Sequence, residues 1–341
     1  MNRHFIAFAF MVILLVGCSP DEPTITSFVD EWRILIAGPL GVSTISMPKG
    51  EVANSNVWSG PSGTSFPIEE TKQFRDNIYL LHASQPWIVI LDASSLVAKD
   101  TIDLGSKGIA IDITFANATT AYVSLPMSRS VGVVDLTVNS LVAIIDLNAE
   151  TSGIASTGNQ ICVALLSTNE VAIIDSRTNL VEARLSVDPA PTFVEADDLN
   201  AVFCIVSLGN GKINSETQTP PSIAFVSATT RAILKKLEIS GRPTNAAAQL
   251  PRGLVVTAGE FAFVPVQNGL TRVNTRTRNK VSLVQFDSYD RIGYNPARAE
   301  ILLQRTSGGS TNYDVVDEFG EVVKTTTTQP DSAAALLGIG R

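Results

Sequence analysis

Reactive side chains are sparse in this sequence, and none falls into a familiar catalytic spacing. Two histidines occur, His4 and His82, and His4 lies in an N-terminal leader described below. His82 alone cannot build a multi-histidine metal site. No C-x-x-C-H is present, so covalent haem attachment is excluded, and one histidine cannot supply paired axial ligands. A serine hydrolase would need His82 as its base together with a G-x-S-x-G nucleophile turn, which the chain lacks. Carboxylate chemistry remains. Glu70, Glu195, Asp290 and Asp331 are the groups a channel hydrolase would draw on, although their spacing matches no motif. Trp32, Trp58 and Trp87 all lie in the first part of the chain, which does not give the tryptophan-docking repeats of a quinone-dependent dehydrogenase. No cofactor and no metal are expected.

The elements that would position such groups begin after the leader. Phe5 to Val16 is a twelve-residue apolar run behind the positive start Asn2-Arg3-His4. It is too short to span a bilayer as a helix and suits a signal-peptide core. The run ends in Leu15-Val16-Gly17-Cys18, which resembles the bacterial lipobox, and the resemblance implies that Cys18 is lipidated and becomes the new N-terminus. Residues 1–17 then form the signal peptide and residues 18–31 the lipidated cysteine and a tether, although Thr24 to Phe28 could instead add a strand. Ser19 after the cysteine favours the outer membrane, on its periplasmic side or at the cell surface. Several acyl chains would hold the protein there, because one alone binds weakly. Removing residues 1–17 takes away Arg3 and leaves 24 basic against 33 acidic side chains. An acidic chain without a basic run is a poor match for nucleic-acid phosphates.

From residue 32 onward the chain repeats itself. Runs of the form V-x-V-I-D end at Asp92, Asp135, Asp175, Ser227, Asn274 and Asp317, with a degenerate first copy at Met47. The steps between these markers are 45, 43, 40, 52, 47 and 43 residues. Seven copies at this period, rich in β-branched residues and punctuated by turns, predict an all-β protein: a seven-bladed β-propeller of four-stranded antiparallel blades over residues 32–341. In the third copy the strands read Gly108 to Phe115, Ala121 to Leu125, Val131 to Asp135 and Leu141 to Leu147. The marker residue sits where strand three turns into strand four, and its side chain is expected to accept N–H groups of that turn.

The pattern P-x-G-I-A, Y-V, V-x-V-I-D, T-N-x-V resembles the YVTN-type propeller repeat. The resemblance implies that the "GIA" strand is innermost, lining a central channel, and that the "V-I-D" strand is third. Tyr79 and Tyr122 keep the tyrosine of the pattern, whereas Cys162, Cys204 and Ala262 replace it. The first copy begins at Trp32 to Gly38, which matches a second strand, and Gln329 to Gly340 matches a first strand. The C-terminal strand is therefore expected to join the N-terminal blade as its innermost strand, closing the ring and removing open edges. Cys162 and Cys204 fall at equivalent positions of neighbouring blades, about 10 Å apart, beyond the usual reach of a disulfide. Two buried free thiols are expected.

Loops before strand one and between strands two and three emerge on one face of such a ring, and the chain is longest there. Leu208 to Ser222 and Trp58 to Pro67 are the extended segments, of a kind that costs little stability and often carries function. This face is expected to carry His82, Trp87, Arg129, Lys212, Asn214, Arg242, Asn268 and Arg291, with Glu69, Glu70 and Lys107 near the channel mouth. Arginines mixed with carboxylates around a funnel suit a polar or anionic ligand. The expectation is a lipid-anchored envelope propeller that binds a protein, peptide or glycan through its loop face. The alternative is a lactonase-like or metal-dependent hydrolase using channel carboxylates. An enzyme should show three or more such groups converging in the channel with altered acidity. A binding module should show an apolar or aromatic patch on the loop face.

Overall fold

The computed structural model describes residues 32–38, 41–47, 51–58, 67–210, 218–239, 253–266, 269–285, 289–307, 310–328 and 335–340. They form 28 strands, arranged as five four-stranded sheets and one sheet of eight. Each smaller sheet is a run of consecutive antiparallel strands. The first holds β4 (Ile68–Phe74), β5 (Asn77–His82), β6 (Trp87–Asp92) and β7 (Ala98–Asp103). The second holds β8 (Asp112–Phe115), β9 (Thr120–Leu125), β10 (Ser130–Asp135) and β11 (Ser140–Asp146). β12 (Thr151–Thr157), β13 (Gln160–Leu165), β14 (Glu170–Asp175) and β15 (Leu180–Ser186) make the third. β16 (Pro191–Asp197), β17 (Val202–Ser207), β18 (Ser222–Ser227) and β19 (Ile233–Glu238) make the fourth. The fifth holds β20 (Val255–Thr257), β21 (Phe261–Val266), β22 (Gly269–Asn274) and β23 (Asn279–Gln285).

The largest sheet joins the two ends of the chain. β24 (Arg291–Asn295), β25 (Glu300–Ser307), β26 (Ser310–Val316) and β27 (Val322–Thr328) form one half; β28 (Ala335–Gly340), β1 (Trp32–Gly38), β2 (Gly41–Met47) and β3 (Glu51–Trp58) form the other. β28 pairs antiparallel with β1 from Ala37↔Ala335 to Trp32↔Gly340, as expected of a closing strand. It also pairs in parallel with β24 at Tyr294↔Leu337, so closure runs through a mixed eight-stranded sheet and not through a separate four-stranded one. Two glycines allow that approach. A Cβ at Gly293 would collide with the carbonyl oxygen of Leu336, and one at Gly338 with the Cβ of Asn295.

The six marker residues after the degenerate Met47 act as expected. Asp92 Oδ1 accepts the N–H groups of Ser94 and Ser95 at 3.0 and 2.9 Å, and Asp135 Oδ1 accepts that of Thr137 at 2.8 Å. Asp175, Asp317, Asn274 and Ser227 do the same in their own turns. Asn139 and Asn179 then take left-handed φ values of 48° and 58°, a conformation that asparagine tolerates, which accounts for the "TN" and "VN" pairs of the repeat. β8 is shorter than the sequence suggested. Gly105–Lys107 forms a 3-10 turn and Gly108 follows at φ 96°, so regular pairing starts only at Asp112.

The sheets bury apolar residues on both faces, and among the described residues the core is accordingly divided into seven clusters, each between one four-stranded set and the next. Ile154, Ile161 and Ile174 meet Tyr122, Val131 and Val133 in one of them. Tyr122 adds a polar link by donating its hydroxyl to Ser176 O and Asn179 Oδ1, at 3.0 and 2.6 Å, in the turn of the next sheet. Cys162 and Cys204 fill the matching position as buried free thiols. The sheets thus pack face to face around an axis lined by β4, β8, β12, β16, β20, β24 and β28, each touching the next and β28 touching β4. This is a β-propeller.

Leu337 of β28 packs with Leu35, Val42 and residues of the first sheet, Ile78 and Leu80. Leu337→Ala should cost about 2–4 kcal/mol and lower Tm by at least about 4 °C. Truncation before Ala335 should abolish the cooperative transition in calorimetry; an unchanged transition would show that β28 does not close the fold.

Candidate functional site

Three innermost strands bring four charged side chains together. β4 supplies Glu70 and Lys72, β8 supplies Asp112 and β16 supplies Glu195. Glu70 and Lys72 are two residues apart and so point to the same side of β4. A register shift between Ile68 and Glu70, of the kind that re-aims side chains beside functional sites, separates that side from the apolar start of the strand. Similar shifts open β12 between Thr151 and Ile154 and β16 between Pro191 and Phe193. Strand register places the four groups at two levels of the channel. Lys72 lies opposite Tyr79 and Glu195 opposite Cys204, which are the same position of the repeat. Glu70 lies opposite Leu81 and Asp112 opposite Ser124, one step nearer the loop face.

The Lys72 ammonium donates to Glu195 Oε1 at 2.6 Å, joining strands 123 residues apart, and lies 3.8 Å from Asp112 Oδ1. Asp112 is fixed by two backbone donors, Ile113 N to Oδ1 at 2.8 Å and Ile154 N to Oδ2 at 2.9 Å. The second comes from β12, which contributes main chain here and no charge. Gly153 sits against β16 so closely that a Cβ would meet Thr192 O at 2.6 Å. Glu70 Oε1 accepts the N–H of Thr71 at 2.7 Å. The group lies deep in the ring yet remains wet: 26% of the Lys72 side chain, 32% of Glu195 and 13% of Asp112 are solvent-accessible.

Proton affinities follow from this placement. Burial pushes the Glu70 carboxyl up to about 7; the Lys72 ammonium and the Thr71 N–H oppose the rise, while the Asp112 and Glu195 charges add to it. Burial likewise raises Asp112 to about 6, with Lys72 pulling it down and Glu195 pushing it up. For Lys72, burial disfavours the charge, but Glu195, Asp112 and Glu70 together outweigh it and hold the ammonium above its ordinary range. At neutral pH the site therefore contains a fixed ammonium beside a carboxyl near its own midpoint, which can give or take a proton.

The loop-face residues named from the sequence have varied surroundings. His82 is buried, with Nδ1 accepting the N–H groups of Ser84 and Gln85 at 2.9 and 3.1 Å, so the ring organises the turn before β6. Its burial lowers the imidazole's proton affinity, in keeping with that acceptor role. Trp87 is 39% exposed and stands edge-on to His82. Arg129 is exposed at φ 52° in the turn between β9 and β10, and Lys107 is exposed at the end of the 3-10 turn. Arg291 is half-buried and donates to Asp290 O at 2.8 Å. Glu69 is exposed beside the bulge of β4. Met127 joins Trp87 as a large exposed apolar residue on this face, while Val97, Val138, Leu199 and Phe319 lie at turns of the opposite end. The long loop after β17 is pinned at its base, where Asn210 Oδ1 accepts the N–H of Thr219 at 3.0 Å. Cys18, Lys212, Asn214, Arg242, Asn268 and Asp331 lie outside the described residues.

Of the channel carboxylates named from the sequence, the structure brings Glu70 and Glu195 together. Lys72 and Asp112 were missed. A signal was present: opposite the tyrosine, cysteine or alanine of successive second strands the innermost strands read Lys72, Thr114, Ala155, Glu195 and Val256, with opposite charges at two positions where small or apolar residues otherwise stand. Among the described residues, no three His, Cys, Asp or Glu side chains are close enough together to hold a metal ion.

No protein-family model and no curated protein sequence matches the chain. Solved structures do resemble it. A putative 6-phosphogluconolactonase from Bacteroides uniformis matches with TM-score 0.68 and 9% identity, over 91% of this chain and 100% of that one. The Pan2 WD40 domain of Neurospora crassa matches with TM-score 0.59 and 12% identity, over 79% and 81%. Apo AztD from Citrobacter koseri matches with TM-score 0.58 and 14% identity, over 91% and 98%. At these identities the likeness is one of fold.

Glu70 binds its proton more tightly when folded, between its ordinary 4.5 and about 7. The stability this contributes is complete below pH 4.5 and is lost as pH rises through 7. Glu70→Gln, which cannot ionise, should therefore show a smaller fall in Tm between pH 5 and pH 8 than the wild type, by a few degrees in thermal melts. Equal falls in both proteins would contradict the assigned environment.

Proposed function

We propose that this protein is a lipid-anchored, seven-bladed propeller of the bacterial cell envelope that works as a binding module, with its ligand seated on the Lys72 cluster inside the channel. The count of seven treats the eight-stranded sheet as two blades fused at β24 and β28, a reading supported by the separate apolar cluster between its halves. The YVTN-type resemblance fits the same count. The lipobox-like Leu15-Val16-Gly17-Cys18 motif supports the anchor, and Ser19 the outer membrane.

One observation carries the binding site: the 2.6 Å contact of Lys72 with Glu195 between strands three sheets apart, with Asp112 and Glu70 beside it. A channel of this kind combines a few polar groups with surrounding walls, as ligand sites generally do. The loops bearing Trp87, Lys107 and Arg129 start from the same end of the sheets and would form the rim against a protein, peptide or glycan. A second reading, hydrolysis of a lactone or ester, is favoured by Glu70, whose carboxyl near pH 7 suits a general base, with Lys72 as the stabiliser of a developing oxyanion.

Envelope extract dialysed against the purified protein should leave a ligand on the wild type that the Asp112→Asn/Glu195→Gln variant loses, seen by mass spectrometry. No retained ligand would reject the binding site. Lactone turnover that rises through about pH 7 and drops about 10²–10⁴-fold in Glu70→Gln would establish the hydrolase instead. Cys18→Ala should shift the protein from the membrane to the soluble envelope fraction; unchanged membrane association would reject the lipid anchor.

A further inference from the structure

The kind of ligand can be read from the charge and bonding of the cluster. Glu70, Asp112 and Glu195 are three carboxylates facing one ammonium, so the fully ionised group carries an excess of two negative charges. Their bonding is uneven. Asp112 uses both oxygens on backbone donors, and Glu195 Oε1 holds Lys72. Glu70 has only the Thr71 N–H on Oε1, and Oε2 accepts no hydrogen bond from the described residues. The excess charge therefore lies at Glu70, one repeat level nearer the loop face than Lys72, and at Glu195 Oε2, which likewise accepts no hydrogen bond from the described residues.

The ammonium of Lys72 shows the contacts that this set of oxygens offers a primary ammonium. It sits 2.6 Å from Glu195 and 3.8 Å from Asp112, distances of a hydrogen-bonded and a near ion pair. A bare metal ion is a poorer fit. Calcium needs six or more oxygens at about 2.3–2.6 Å, and among the described residues no three acidic side chains gather that closely. An alkylammonium needs only separate acceptors at hydrogen-bond distance, which is how Lys72 is already bound.

Building on the channel cluster as the ligand seat, we propose that the channel binds a small organic cation bearing a primary ammonium, held between Glu70 and Glu195 beside the Lys72 ammonium or in its place. Lys72 acts as a tethered stand-in that keeps the carboxylates compensated when the site holds no ligand. Glu70 holds its proton first because burial penalises its charge, with Asp112 and Glu195 adding to the penalty, and a positive partner opposes it as Lys72 already does. An arriving cation supplies a second such partner and drives the proton off, so binding near pH 7 releases a fraction of a proton.

Butylammonium chloride, titrated calorimetrically into the purified protein at pH 7 in MOPS and in phosphate at matched ionic strength, tests this. n-Butanol is the neutral control. The wild type should bind butylammonium and not butanol, with heats differing between buffers by the released proton. Glu70→Gln should bind at least about 5-fold more weakly, the scale of one lost charged contact, and release no proton. Lys72→Met vacates the seat and should bind butylammonium more tightly than the wild type does. Butylammonium bound no better than butanol by the wild type overturns the proposal, whether or not the Lys72 variant folds. If the extract experiment meanwhile yields an uncharged or anionic ligand that Asp112→Asn/Glu195→Gln loses, the cation assignment fails while the binding site stands. No retained ligand removes the site itself.

Discussion

A four-stranded blade has two apolar faces, and neither can be left to water. Every other feature of this molecule depends on how that constraint is met. Burying a single Leu or Ile side chain contributes about 1.5–3 kcal/mol, and each interface between successive sheets gathers several. Leu35, Ile78, Leu80 and Leu91 serve one interface; Phe203, Ile205, Val171 and Ile173 serve another. A linear stack would leave its two end blades exposed. A ring covers both, provided that the chain's ends meet, which β28 achieves by lying between β1 and β24. The glycines at 293 and 338 are the local requirement for that meeting, since any Cβ there would push the two backbones apart.

The same geometry explains why charge collects at the axis. Sheet faces pack against one another along the outer strands, but innermost strands converge on a narrow space that side chains cannot fill with apolar contacts on every side. There a polar group stays in contact with solvent while being surrounded by protein. Glu70, Lys72, Asp112 and Glu195 occupy this intermediate environment, which is dry enough to raise two carboxyls and wet enough to leave Lys72 and Glu195 in contact with solvent.

Magnitudes separate structural from functional roles. With a quarter to a third of Lys72 and Glu195 still exposed, screening leaves their ion pair closer to the 1 kcal/mol or so of a surface pair than to the roughly 3–5 kcal/mol at stake in a buried one. The apolar interfaces hold the ring, and the charged cluster is not needed as its fastener. Asp314, by contrast, is almost fully buried and accepts from Arg305 at 2.8 Å and from Thr325 at 2.6 Å, all within one sheet and its edge. That network is satisfied and belongs to the structure. His82 is similar: its ring is committed to the backbone of its own turn.

What the sequence alone determined was everything that depends on near neighbours in the chain. The markers Asp92, Asp135 and Asp175 fix turns within a few residues, and alternating β-branched residues define strands between them, so repeat, strand order and all-β class were legible. The match of Gln329 to Gly340 to a first strand also disclosed the pairing of β28 with β1. The fused eight-stranded sheet was not legible, because the bridge of Tyr294 to Leu337 depends on how closely two innermost strands approach at the axis. Nor was the charged cluster. Glu70 and Glu195 could be named, but nothing local ties residue 72 to residue 195. Only closure of the ring sets equivalent positions of separate blades across one channel, and their charges acquire meaning from that distance alone.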